Sequence, residues 1–117
     1  MLLSGGTSKG EGDLNSAVVG ELEPGILVHG VALKPGKPIC LAAHGRLPVV
    51  ILPGFPTSAV FTFHEFVAPV LRALAGLPPE GRETVCARLA LQQNSERGRL
   101  EYLLVGLVRG DEGGLVA

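Results

Sequence analysis

Three short stretches of this chain concentrate the residue types that hold anions. The first, Gly5-Gly6-Thr7-Ser8-Lys9-Gly10-Glu11-Gly12-Asp13, joins glycines, which admit positive φ and close approach of a ligand, to hydroxyl and ammonium donors. It lacks the GxxxxGK[ST] spacing of a phosphate loop, and the same composition also serves plain surface turns. The second, Lys34-Pro35-Gly36-Lys37-Pro38, is a turn stiffened by two prolines, so that Lys34 and Lys37 point in fixed directions. Fixed lysines suit a phosphate or an oxyanion, and a solvated lysine turn is the plainer alternative. The third, Pro53-Gly54-Phe55-Pro56-Thr57-Ser58, closes an apolar run and opens a helical pattern. Free N–H groups and the positive end of a helix dipole meet at such a turn. Asp13 reads first as the N-cap of the helical pattern after it, and a carboxylate at the mouth of a phosphate loop can also hold a divalent metal.

These loops need strand ends and helix starts to carry them. Residues 49–52 are an unbroken, β-branched apolar run, which predicts a buried strand. Val60, Phe63, Phe66, Val67, Val70, Leu71 and Leu74 then recur at helical spacing, with Thr57 and Ser58 as hydroxyl caps at the start and Gly76, Pro78 and Pro79 as the stop. Pro69 has no N–H for the Glu65 carbonyl, so a kink or break is expected there. His64 shares a helix surface with Val60, Val67 and Leu71 and reads as a partly buried histidine with a local hydrogen bond. Upstream, residues 1–4 form a strand stub running into the first loop, and residues 14–22 a short helix. Residues 26–33 predict a strand covered on both faces, with His29 in the core, and residues 39–43 another short strand. The class implied is α/β, a three-layer αβα arrangement around a mixed sheet, with ligand loops at the strand ends.

Past Pro79 the pattern changes. Residues 84–91 and 100–108 are strand-like and flank the polar turn 93–99, which predicts a short β hairpin belonging to a second module, with residues 77–82 as linker. A lone hairpin has too little apolar surface to hold itself.

The formal net charge of −1, with acids and bases scattered, supplies no basic stripe for nucleic acid and no electrostatic pull toward an anionic membrane. No apolar run is long enough to span a bilayer, and the N-terminus lacks the pattern of a signal peptide. Cys40 and Cys86 lie far apart without metal-ligand spacing, which predicts two buried free thiols in a reducing, cytoplasmic compartment.

In order, spacing and wording, GGTSKGEGD, KPGKP and LPGFPTSA together resemble the molybdopterin molybdenumtransferase (MoeA) family, whose gephyrin relatives share the same core. The resemblance covers residues 2–76, and the segment after Arg82 resembles the start of that family's small C-terminal β domain. It implies that residues 1–78 are the C-terminal half of a molybdopterin-binding domain and residues 79–117 the incomplete start of the β domain. The resemblance also implies a pocket for the dithiolene and phosphate of molybdopterin, lined by Gly5, Gly6, Thr7, Ser8, Gly10, Pro53, Gly54, Pro56, Thr57 and Ser58. Asp13 stands at the family's essential aspartate and would hold Mg2+, while Lys34 and Lys37 stand at its pocket lysines. The implied reaction is insertion of molybdate into adenylylated molybdopterin by a cytoplasmic protein, a homodimer when full-length.

Two departures stand beside this likeness. The commonest family wording is LPGNP, and Phe55 replaces its Asn, as in a variant branch whose members carry an additional periplasmic-binding-protein-like domain. The upstream half of the pterin domain, with its TGDE-type acidic motif, is not in this sequence, so the chain resembles a fragment. A non-catalytic pterin- or phosphate-binding sensor or scaffold, and a fragment inactive by itself, remain as alternative readings.

Overall fold

The structure is a computed structural model that describes residues 1–5, 14–111 and 113–117. In chain order its elements are β1 (Leu2–Ser4), α1 (Leu14–Gly20), β2 (Pro24–His29), β3 (Leu33–Lys34), β4 (Cys40–His44), β5 (Leu47–Leu52) and α2 (Pro56–Thr62). A π-helical turn (Phe63–Val67), α3 (Ala68–Leu74), β6 (Leu100–Glu101), β7 (Val108–Arg109) and β8 (Leu115–Val116) complete the order. The class is α/β, built on a mixed four-stranded sheet of order β1-β5-β4-β2 with a small hairpin sheet apart from it. β5 runs parallel to β1 and antiparallel to β4, and β4 runs antiparallel to β2.

The alternation of β5 explains the core. Val49 and Ile51 are fully buried on one sheet face with Cys40 and Ala42 of β4, and Val19 of α1 closes over them. Each of the Val and Ile side chains contributes about 1.5–3 kcal/mol by leaving water. On the other face Leu41, Ala43, Pro48, Val50 and Leu52 are half-buried. β2 lies at the sheet edge, with Leu27, Val28 and His29 exposed. The expectation of a doubly covered strand with a core histidine is therefore corrected: an apolar run does not reveal whether its strand is central or at an edge.

α2, the π turn and α3 form one continuous helical rod after β5. Pro69 disturbs it as expected, and the disturbance takes the form of the π turn: the Ala68 N–H bonds the Phe63 carbonyl, five residues back. One extra residue in a turn rotates the downstream side chains by about 100°. The apolar stripe is thereby broken. Thr62 and Val67 are buried, whereas Val60, Val70, Leu71 and Leu74 are exposed, and so is His64, edge-on to the Phe63 ring.

The expected pairing of residues 84–91 with 100–108 does not form. β6 instead pairs in parallel with β3, Leu33 opposite Leu100 and Lys34 opposite Glu101. The hairpin is made by β7 and β8, and Arg88 touches it through a single bridge to Val116. The two cysteines are not joined in a disulfide; Cys40 is buried, as expected, but Cys86 is exposed in this open segment.

Candidate functional site

Gly5, the first residue of the first loop, meets the third loop at one end of the sheet. Because β1 and β5 are parallel neighbours, they finish side by side. The Gly5 N–H bonds the Leu52 carbonyl at 3.2 Å, and a side-chain carbon on Gly54 would lie 3.6 Å from the Gly5 Cα. Asn15 of α1 fastens the same corner, its Nδ2 donating to the Gly5 carbonyl at 2.8 Å. The first and third loops therefore share a boundary.

The lysine turn packs onto the helix that the third loop opens. Gly36 is buried at φ +122°, and a Cβ there would overlap Thr62 Cγ2 and sit 3.3 Å from Leu33 Cδ2 and 3.7 Å from the Ser58 carbonyl oxygen. Only glycine fits both the conformation and the space. Thr62 is fully buried and donates its hydroxyl to Ser58 O at 2.7 Å and Ala59 O at 3.2 Å, so it forms a fixed wall. The turn is tied back by Val31 N–H to Lys37 O (2.9 Å), Ile39 N–H to Gly36 O (3.2 Å) and Gly30 N–H to Ile39 O (2.8 Å).

The two lysines differ. Lys37 is exposed and makes no ion pair among the described residues. Lys34 places its ammonium 2.9 Å from Glu101 Oε1, the lysine side chain 54% and the glutamate side chain 13% exposed. That ammonium, more than any other group, holds the Glu101 carboxyl below the usual range. Hydrogen-bonding contacts from Ser95 and the Glu96 N–H lower it further, and Oε2 is buried.

The third loop starts its helix differently from expectation. Phe55, extended at φ −76° and ψ 123°, is the N-cap and Pro56 takes the first helical position, with no side-chain cap bond. Thr57 and Ser58 thus fall inside the first turn and are not its hydroxyl caps, because proline at the first position moves the boundary upstream. Pro53 is buried, while Gly54, Phe55 and Pro56 are exposed. Gly6, Thr7, Ser8, Gly10 and Asp13 lie outside the described residues, and the readings that rest on them lie there too.

A second polar group borders a cleft of about 1020 Å³ along the helical rod, walled opposite by residues 77–84 with Tyr102 and Leu104. Tyr102 stacks on Phe61 with ring centroids 5.2 Å apart and donates its hydroxyl to Glu65 Oε2 at 2.6 Å, which also accepts from Arg82 at 3.1 Å. The hydrogen bond to Glu65, aided by burial and charge repulsion, raises the Tyr102 pKa. Glu65, Glu101 and Tyr102 were not among the residues singled out from sequence. The available signal was a carboxylate and a phenol inside an otherwise apolar run.

Residues 1–73 match the model of a family described as probable molybdopterin binding domain. The chain belongs to this molybdopterin-binding-domain family. It is 38% identical over 80 residues to a molybdopterin molybdenumtransferase of Nostoc sp., a match spanning 66% of this chain and 18% of the relative. It is 33% identical over 107 residues to molybdopterin molybdenumtransferase 2 of Mycobacterium tuberculosis, spanning 87% and 26%. Among solved structures, the molybdopterin biosynthesis MoeA protein from Pyrococcus horikosii superposes with a TM-score of 0.57 at 40% identity, over 76% of this chain and 21% of that one. The chain thus spans about a fifth to a quarter of the length of these relatives. The molybdopterin-binding-domain match ends within α3, so Glu101 reaches the lysine turn from outside the matched residues.

Proposed function

We propose that this chain supplies anion-binding loops to a molybdopterin molybdenumtransferase, which inserts molybdate into adenylylated molybdopterin during molybdenum cofactor biosynthesis. The observations that carry the reading are the contact of Gly5 with Gly54 at the ends of β1 and β5, and the packing of the Gly36 turn on Ser58 and Thr62 of α2. Molybdopterin and molybdate are both anions, and the work asked of this end of the sheet is to hold them in register. That is positioning and electrostatic catalysis, with no covalent intermediate on the protein. The Thr57 and Ser58 N–H groups have no acceptor inside the helix and suit the pterin phosphate, with Lys34 and Lys37 as its counter-charges. In the same reading residues 1–78 complete the pterin domain, residues 79–117 begin the β domain, and the whole protein is a cytoplasmic homodimer.

Among the described residues no group of three or more His, Cys, Asp or Glu side chains could hold a metal ion. The carboxylate implied for magnesium, Asp13, lies outside them, so no step is derived through that ion. Phe55, 68% exposed at the mouth of the third loop, favours a second reading in which the loops bind pterin without transferring metal.

Titration of molybdopterin into the chain, followed by pterin fluorescence, is the direct test. Binding should saturate, and Lys34→Ala or Lys37→Ala should weaken it about tenfold by removing a charge-assisted hydrogen bond. Unchanged affinity in both variants would refute the site. Molybdate-dependent release of AMP from adenylylated molybdopterin by the intact protein separates transfer from binding alone.

A further inference from the structure

Lys34 does not stand alone in the lysine turn. Parallel pairing makes Lys34 and Glu101 register partners, so both side chains leave the same face of the two-stranded β3–β6 sheet. Two backbone bonds fix that register on either side of the pair, Leu100 N–H to Ala32 O at 2.9 Å and Tyr102 N–H to Lys34 O at 2.8 Å. The carboxylate is therefore held at the ammonium by the main chain, at 2.9 Å, and it is the less exposed of the two groups. Its second oxygen, Oε2, is buried, and Ser95 and the Glu96 N–H beside the carboxylate help to keep it charged. An anion arriving at Lys34 meets this negative charge and must share or displace its contact.

We propose that Glu101 is a built-in competitor for the Lys34 ammonium, setting how tightly the lysine turn holds a phosphate-bearing ligand. The proposal rests on the reading of that turn as an anion site. Glu101 touches no substrate. It acts through Lys34 and lowers the affinity that the two lysines alone would give. Residues outside the molybdopterin-binding-domain match thereby tune a loop inside it, which places affinity control on the later part of the chain. A strong anion clamp would retain product as well as substrate, and a resident carboxylate offers the ammonium an alternative partner when the ligand leaves.

The test is a titration of inorganic phosphate into the 117-residue chain, read by NMR shifts of amides in the lysine turn. Glu101→Gln keeps the shape and the backbone pairing and should tighten phosphate binding about two- to fivefold, the range expected for a partly exposed ion pair. In a Lys34→Ala background the same substitution should change nothing. Glu101→Asp, which keeps the charge, should bind phosphate no tighter than the unaltered chain. Phosphate affinity unchanged or weakened by Glu101→Gln, while Lys34→Ala still weakens it, would overturn this proposal and leave the anion site standing. Equal tightening by Glu101→Asp and Glu101→Gln would trace the effect to loss of β6 and also overturn it. Phosphate affinity unaffected by Lys34→Ala would overturn both the proposal and the anion-site reading beneath it.

Discussion

Gly36→Ala is expected to be among the most damaging single-methyl additions in this chain. At φ +122° the backbone sits where an L side chain is rarely found, which costs about 1–3 kcal/mol. The new methyl also overlaps Thr62 Cγ2 and crowds Leu33 Cδ2. Thr62 cannot swing aside cheaply, because it is fully buried and its hydroxyl is committed to Ser58 O and Ala59 O. Overpacking of this kind adds about 1–3 kcal/mol. The total, about 2–6 kcal/mol, is a large share of the 5–15 kcal/mol or so that holds a domain together. Urea unfolding followed by circular dichroism should show the midpoint fall by about 1–3 M for a slope near 2 kcal/mol/M. Thr62→Ser separates the two causes, since it deletes Cγ2 and keeps the hydroxyl bonds. In that background Gly36→Ala should lose about half of its cost. An unchanged midpoint for Gly36→Ala would refute the whole argument, and an equal cost in both backgrounds would refute the overlap.

Tyr102 is the single tyrosine, so tyrosinate absorbance reports it alone. Its titration should lie above the ordinary tyrosine value in the folded chain and move back toward it in Glu65→Gln. Because the folded pKa is raised, the stability contributed by the protonated phenol is complete below the unfolded pKa and is lost as pH rises through the folded one. Cys86 should react with a thiol reagent at once and Cys40 only on unfolding; equal native-state rates would contradict the buried position of Cys40. If the intact protein inserts molybdate as proposed, Asp13→Asn should abolish that activity while changing stability by only about a few tenths of a kcal/mol, Asn and Asp being nearly equal as helix caps. Full turnover of that variant would reduce Asp13 to a helix cap.

What could be read from residues alone was local. The β-branched run at 49–52, closed by Pro53 and Gly54, specified a buried strand leading into a helix, and Val49 and Ile51 are the buried centre of the sheet. The disturbance at Pro69 was legible because a missing N–H has one consequence wherever the helix lies. Its form was not, since choosing a π turn over a kink depends on which side chains the rod must present to its neighbours. Strand partners were not legible either. The apolar residues near Leu100 fit a hairpin or a pairing with β3 equally well, and the choice of β3 over residues 84–91 is tertiary. For the same reason Lys34 could be marked as a candidate while Glu101, its partner, could not.

The β3–β6 contact also bears on the order in which the molecule assembles. β2, β4 and β5 pair antiparallel across connections of a few to about a dozen residues, so their loops close early and at little entropic cost. β3 and β6 join two residues to two across more than half of the chain, and residues 73–99 leading into β6 are exposed throughout. Closing such a contact costs more chain entropy per residue paired than closing the antiparallel strands does. Amide hydrogens of Leu100 and Tyr102, although hydrogen-bonded, should therefore exchange with solvent well before those of Val49 and Ile51. Closing that contact adds little core; it brings a negative charge to a lysine.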